Sequence, residues 1–243
     1  MHKVKILLIA LLLLGLLSSL LLWTHPEVFN KVQGKEPRTL AHALADYAKS
    51  ARKRMASSFQ KSDIDYPPSE ITIIALKKEK RLEIYCPDSD NNQKLVLEYP
   101  ILAASGDAGP KLKQGDFQVP EGFYKIEAFN PNSRFHLSLR INYPNDFDRL
   151  QSQKEKRKDL GGDIMIHGDA CSIGCIAIGD EKIEELFTLV SDVKRKNTKL
   201  LIAPCDLRVE KPEVNFKYQP DWLPALYKDL KKAMLAVGAD NKI

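Results

Sequence analysis

The chain has 243 residues, 44% of them hydrophobic and 28% charged, the proportions of an ordinary folded protein rather than a disordered or fibrous one. Its formal net charge is +5, and Lys3 and Lys5 contribute two of those charges. The remainder is too weakly basic to argue for nucleic acid as a partner, although it suits an anionic envelope polymer.

Lys3 and Lys5 precede an apolar run from Ile6 to Trp23, relieved only by Gly15, Ser18 and Ser19. A positive start followed by an apolar segment is an export signal. The run approaches the roughly 18 residues that span a bilayer and exceeds the usual signal core of about 7–15. Neither an A-x-A cleavage site nor a nearby lipidation cysteine follows it. A cleaved signal peptide and an uncleaved anchor helix therefore both stay open. With the lysines inside, the rest of the chain faces outward. The expected location is the cell envelope, either free in the periplasm or anchored in the inner membrane and facing it.

Glu27 to Pro37 reads as a polar linker. Leu40, Leu44, Tyr47, Ala51, Met55 and Phe59 recur at helical spacing, so Arg38 to Phe59 is predicted helical. Ser62 to Ser69, with Pro67 and Pro68, is a stop and a loop. The period then changes to two. Ile71 to Leu76 and Arg81 to Cys86 are predicted strands around a charged turn, and Lys94 to Ala104 is a third. Gly106 to Gly122 is a long loop before the strand Phe123 to Ile126. Phe135 to Tyr143 alternates as a strand, and Asp146 to Lys158 is predicted helical. Ile164 to Ile166 is a short buried strand leading into His167. Asp180 is the expected N-cap of a helix over Glu181 to Lys196. Leu200 to Pro204 is a strand, and Asp221 to Val237 is an amphipathic helix. The fold class is α+β, strand-dominated with flanking helices. The expected division is a signal or anchor over 1–25, a linker and helix over 26–69, one domain over 70–208, and a helical segment over 209–243.

The chemistry concentrates in Ile164 to Asp180. A histidine ends an apolar strand, and a small-residue loop then delivers Cys175 behind Gly174. Nucleophilic thiol chemistry needs a base, a turn that exposes sulfur, and N–H groups free to hold an oxyanion. His167 is the expected proton donor and acceptor, lowering the thiol's pKa by stabilising thiolate. Gly174 and its neighbouring N–H groups are the expected oxyanion donors, with Ser172 as a positioning group or a plain turn serine. A structural cysteine in a glycine turn is the competing reading.

Four cysteines occur: Cys86, Cys171, Cys175 and Cys205. Disulfides are permitted in an exported protein. Cys86 and Cys205 each close a strand-like run, so they are the best candidate pair, with two buried thiols as the equal alternative. Cys171 and Cys175 as a redox pair is a further reading, although C-x-x-x-C is not the thioredoxin spacing and no βαβ pattern surrounds it.

The segment resembles the signature of the YkuD-type L,D-transpeptidases, in which a His-Gly pair precedes a Ser/Thr-His-Gly-Cys motif. His167-Gly168, Ser172, Gly174 and Cys175 keep that pattern. Gly109 to Tyr124 is similar to the family's Lys/Gly loop and its Pro-x-Gly-x-Tyr turn, with Val119 where Thr is usual. Phe135 to Leu139, Tyr143-Pro144-Asn145, Asp148-Arg149 and Ile166 to Asp169 resemble the YafK-like branch, and the likeness runs over roughly Ile71 to Leu207.

That resemblance implies a thiolate attack by Cys175 on a peptidoglycan stem peptide, at the L-centre of a diamino acid, with His167 moving the proton. The resulting thioester passes to an amine or to water. No metal or organic cofactor is implied. Two departures bear on the acceptor and the substrate. Ile173 replaces the motif's second histidine, and Ala177 stands where many members carry an arginine that anchors a substrate carboxylate. They motivate a binding domain without turnover as one alternative; a hydrolase of the same bonds is the other, since it shares the acyl-enzyme and differs only in the acceptor. Among other residues, His136 is read as a hydrogen-bonded histidine or a substrate contact. Gly168 is a candidate for the site's surroundings. Asp169 is an Asx-turn residue or a partner of His167, and Lys111 and Lys113 are solvated loop charges, with contact to substrate carboxylates as the lesser reading.

Overall fold

A computed structural model describes residues 37–238. The export segment falls outside the described residues. Among the described residues, no helix is long and apolar enough to cross a membrane.

Helix α1 (Leu40–Ser62) opens the described chain. Its first turn is closed by Thr39, whose hydroxyl accepts from His42 N at 3.2 Å. The strands follow as β1 (Ile71–Leu76), β2 (Arg81–Pro87), β3 (Gln93–Pro100), β4 (Ala103–Ala104), β5 (Gly122–Asn130) and β6 (Ser138–Ile141). Then come α2 (Asp146–Lys154), β7 (Met165–His167), β8 (Ile176–Ala177), α3 (Asp180–Val193), β9 (Thr198–Ala203) and α4 (Leu223–Gly238).

All nine strands join one sheet, ordered β3-β2-β1-β9-β5-β6-β7-β8-β4. The pairs β1/β9 and β7/β8 run parallel, and the rest run antiparallel. The α+β, strand-dominated reading is thereby borne out. Strand β1 is buried at all six positions because both faces of the sheet are covered there. Ile71, Ile73 and Ala75 enter one core with Met55 and Phe59 of α1 and Leu186 and Phe187 of α3. Ile74 and Leu76 enter a second core against Leu223, Leu226, Tyr227, Leu230 and Met234 of α4. Each fully buried Ile or Leu contributes on the order of 1.5–3 kcal/mol. Arg54 of α1 reaches both Glu184 (2.7 Å) and Glu185 (2.8 Å) of α3, which fixes the two helices over the same face.

Several element boundaries differ from expectation. Phe135 to Tyr143 contributes a strand only at Ser138–Ile141, because His136 takes a left-handed φ of 69° that breaks the extended run. Helix α2 stops at Lys154, four residues before the predicted end. The predicted strand to Ala104 divides at Ile101-Leu102 into β3 and β4. Asp180 does not cap α3. Gly179 holds the cap position at φ 81° without a side-chain bond, while the Asp180 carboxylate accepts from Asp169 N at 2.7 Å. Cys86 and Cys205 are buried free thiols, and burial pushes both up to about 12.

Candidate active site

The site lies at the short-strand end of the sheet. In the parallel pair β7/β8, Ile166 faces Ile176 and His167 faces Ala177. Alternation sends Ile166 and Ile176 into the core and turns Met165, His167, Cys175 and Ala177 to the other face. Cys175 sits one residue before β8, so it is the diagonal neighbour of His167. On the far side of β7, Ser138 faces His167 and Arg140 faces Met165. On the far side of β8, Ala103 faces Ala177 and Ala104 faces Ile176, and Ser105 follows directly after β4.

The loop between the two strands is held by its own small residues. Gly168 has no room for a side chain, because a Cβ there would lie 2.7 Å from Phe135 O and 2.5 Å from the Asp180 carboxylate. Gly174 has space but needs φ 96°, a region that L side chains rarely adopt. The Ser172 hydroxyl accepts from Cys175 N (2.9 Å) and donates to Cys175 O (2.6 Å). Gly174 N donates to the Ser105 hydroxyl at 2.5 Å. The expected oxyanion donors are thus both engaged by serine oxygens, since a turn packed against a strand end must satisfy its own N–H groups. Asp169 accepts from Ala170 N at 2.5 Å, a local turn bond, and does not hydrogen-bond His167.

His167 is buried, and its ring stacks on Phe135 with centroids 4.6 Å apart. Its Nδ1 lies 2.6 Å from Gly168 O. A carbonyl only accepts, so Nδ1 carries the proton and Nε2 keeps its lone pair. Burial pushes the imidazole down from its ordinary value, against the Gly168 bond and the Asp169 charge, so it is neutral near pH 7.

The Cys175 thiol accepts from Met165 N at 3.4 Å and points at Asp163 O at 3.8 Å. Burial pushes it up from the ordinary thiol range and the Asp163 charge adds to this, against the Met165 N–H and the Lys111 charge. No hydrogen bond joins Cys175 to His167 among the described residues. Both shifts favour the uncharged forms, a thiol and an imidazole, on one face of the sheet.

The other candidates are placed as follows. His136 bonds Glu184 through Nε2 at 2.9 Å and packs edge-on against Tyr47. Lys111 is not a solvated charge. It is buried and pairs with Asp116 at 2.6 Å, because the loop folds inward over Tyr143. Ile173 is 76% exposed, whereas Ala177 is fully buried. Cys171 is an exposed free thiol. Beside Asp163 lies a polar groove of about 410 Å3, lined by Arg140, Asn142, Arg149 and Gly162 among others. Among the described residues, no group of three or more His, Cys, Asp or Glu is arranged to hold a metal ion.

Two features escaped the sequence reading. One is Ser105, bonded to a residue 69 positions away. The other is a buried cluster in which Glu121 accepts from Lys77 Nζ (2.9 Å), Gly109 N (2.9 Å) and Tyr227 OH (2.5 Å). A glutamate inside the Pro120-Glu121-Gly122 turn was the only local signal for the second.

The chain is similar to several known proteins. The family model for YkuD, the L,D-transpeptidase catalytic domain, matches residues 70–202. The Escherichia coli K12 protein YafK is 38% identical over 125 residues, covering 51% of this chain and 48% of that protein. The chain thus spans about half the length of the curated relatives it matches. Among solved structures, the helical cell shape determining protein Pgp2 of Campylobacter jejuni aligns with a TM-score of 0.45 and 24% identity, covering 66% of this chain and 54% of that one. Bd1075 of Bdellovibrio bacteriovorus aligns with a TM-score of 0.42 and 23% identity, covering 72% and 56%.

Proposed function

This chain belongs to the YkuD family of L,D-transpeptidase catalytic domains, and from that premise we propose that it is a cysteine acyltransferase acting on peptidoglycan stem peptides in the cell envelope. Cys175 is the nucleophile and His167 the base. The observation that carries this reading is the bond from His167 Nδ1 to Gly168 O. It fixes the neutral tautomer whose free Nε2 lies on the same sheet face as Cys175.

The steps follow from that tautomer. Nε2 takes the Sγ proton as sulfur bonds to the peptide carbonyl carbon at the L-centre of the diamino acid. The imidazolium returns the proton to the departing amine nitrogen as the C–N bond breaks, which leaves a thioester. An acceptor amine then attacks the thioester and loses a proton to Nε2, which passes it to the departing sulfur. Splitting one acyl transfer into two easier steps is the logic of covalent catalysis. General base assistance supplies about 10²–10⁴ of the rate. Because the thiol is held neutral, deprotonation accompanies attack rather than preceding it.

Water is the second acceptor to weigh. Exposed Ile173 replaces a histidine, and buried Ala177 replaces an arginine. Both changes bear on what reaches the thioester, and they favour hydrolysis of the same bonds as the alternative. Defined muropeptides incubated with and without an amine acceptor distinguish the two by product mass. New crosslinks support transfer, and shortened stems alone support hydrolysis. Absence of both, with Cys175→Ala indistinguishable from wild type, contradicts the enzyme reading.

A further inference from the structure

We propose that Ser105 is a positioning residue for the nucleophile, acting through the N–H of Gly174; this rests on the acyl-cysteine reading of the same site. The register carries the first part of the argument. Ala103 faces Ala177 and Ala104 faces Ile176, and Ser105 follows directly where that ladder ends. The ladder ends beside the Gly174–Cys175 turn, and there the Ser105 hydroxyl makes the contact.

The second part concerns what the hydroxyl does. Gly174 precedes the nucleophile at φ 96°, and a glycine has more backbone freedom to lose than any other residue. Two consecutive peptide groups must be oriented to aim the thiol. Ser172 holds the second, through Cys175 N at 2.9 Å. Ser105 holds the first, through Gly174 N at 2.5 Å. Among the described residues, no other side chain bonds these two N–H groups. Removing either serine frees one of the two torsional anchors next to Cys175.

The third part is that Ser105 itself stands on a fixed support. Its carbonyl accepts from Val119 N at 3.4 Å. The carbonyls of Val119 and Gly109 both accept from Lys77 Nζ at 3.1 Å. Glu121, fully buried, closes the far end by binding Lys77, Gly109 N and Tyr227 of α4. The strut from Ser105 to Glu121 is thereby tied to β1 and α4, outside the catalytic loop. A positioning group works only when its own supports are rigid.

The test compares Ser105→Ala with Ser105→Thr, which keeps the hydroxyl, in the full-length protein. On a defined stem peptide, Ser105→Ala is expected to lower kcat about tenfold with KM within about twofold, because orientation rather than substrate binding is lost. Ser105→Thr is expected to retain most of the activity. Alkylation by iodoacetamide reads the same effect without turnover. A freed Gly174 lets the thiol leave its buried position, so Ser105→Ala is alkylated about threefold faster near neutral pH, with its pH midpoint moved down toward an ordinary thiol. Unchanged or improved kcat/KM together with unchanged alkylation in Ser105→Ala would overturn the proposal, as the hydroxyl would merely fill space over Gly174 N–H. Equal losses in both variants, matched by an equal fall in melting temperature, overturn it as well. If wild-type protein turns over no stem peptide, the acyltransferase reading fails while the alkylation comparison still decides the role of Ser105.

Discussion

The two halves of the sheet are built differently. Strands β3, β2, β1, β9 and β5 run six to nine residues, and helices cover both of their faces over β1 and β9. Strands β7, β8 and β4 have only three, two and two residues. The long half is held by backbone ladders and apolar burial. The short half has few ladder bonds, so side chains take over: Ser105 on Gly174, Ser172 on Cys175, and Asp180 on Asp169. A scaffold made of redundant contacts carries an edge made of single ones. The edge is where one atom's removal changes aim without unfolding the protein.

The sharpest way to test this contrast is to set two substitutions in the short half against one in the long half. Cys175→Ala is expected to lower turnover by about a thousandfold or more while leaving the urea midpoint unchanged, and His167→Ala by about 10²–10⁴. Ile73→Ala on β1 is expected to do the reverse. It should cost about 2–5 kcal/mol of stability in urea unfolding, with activity per folded molecule retained. Loss of turnover and stability together at Cys175, or at Ile73, would erase the distinction.

The next effect in size belongs to the buried junction between the halves. Lys77→Met leaves the Glu121 carboxylate without its cation, and removing one member of a buried pair costs about 3–5 kcal/mol. Tyr227→Phe removes one hydroxyl bond to the same carboxylate and should cost about 1–3 kcal/mol, read by the same unfolding curve. A Lys77 variant as stable as wild type would contradict this account of the junction.

The protonation states give a prediction with a definite sign. Burial holds His167 below the ordinary imidazole value. Its neutral form therefore persists to lower pH than in a free histidine, and the acid limb of kcat/KM should fall below the ordinary range. The same shift makes His167 stabilising above its unfolded value, with that contribution lost as pH falls through the folded one. The thiol behaves oppositely, since burial raises it. The pH midpoint for alkylation of Cys175 should exceed that of a free thiol, and His167→Ala should barely move it. A midpoint well below the free value would indicate a thiolate–imidazolium pair.

The smallest expected effect is at the exposed edge. Ile173→His restores the motif's second histidine at a position that is 76% exposed. Stability should stay within about 0.5 kcal/mol, so any change in the ratio of crosslinked to hydrolysed product reports on the acceptor side alone.

The same contrast explains what was legible in the sequence. Ile71 to Leu76 and Arg81 to Cys86 showed themselves because β-rich apolar runs between turn residues have few other outcomes. His167 and Cys175 were legible as a motif, since both lie within one short segment. Ser105 was not, because its partner is brought to it by strand register and nothing local marks the hydroxyl. Lys111 looked solvated because composition carries no information on which way a loop folds. Asp180 had the chemistry of a cap, yet its carboxylate is drawn to Asp169 N, a contact set by the turn after β7. His136 sits in an alternating pattern that its left-handed backbone contradicts. Periodic burial is written locally, whereas single tertiary hydrogen bonds are not.

The most direct test of the central claim is intact-mass spectrometry of the protein mixed briefly with a defined stem peptide and quenched in acid. The account predicts a covalent acyl adduct on Cys175 that hydroxylamine removes and that Cys175→Ala never forms. Product formation with equal yield by Cys175→Ala, or an adduct mapped to another residue, would contradict it.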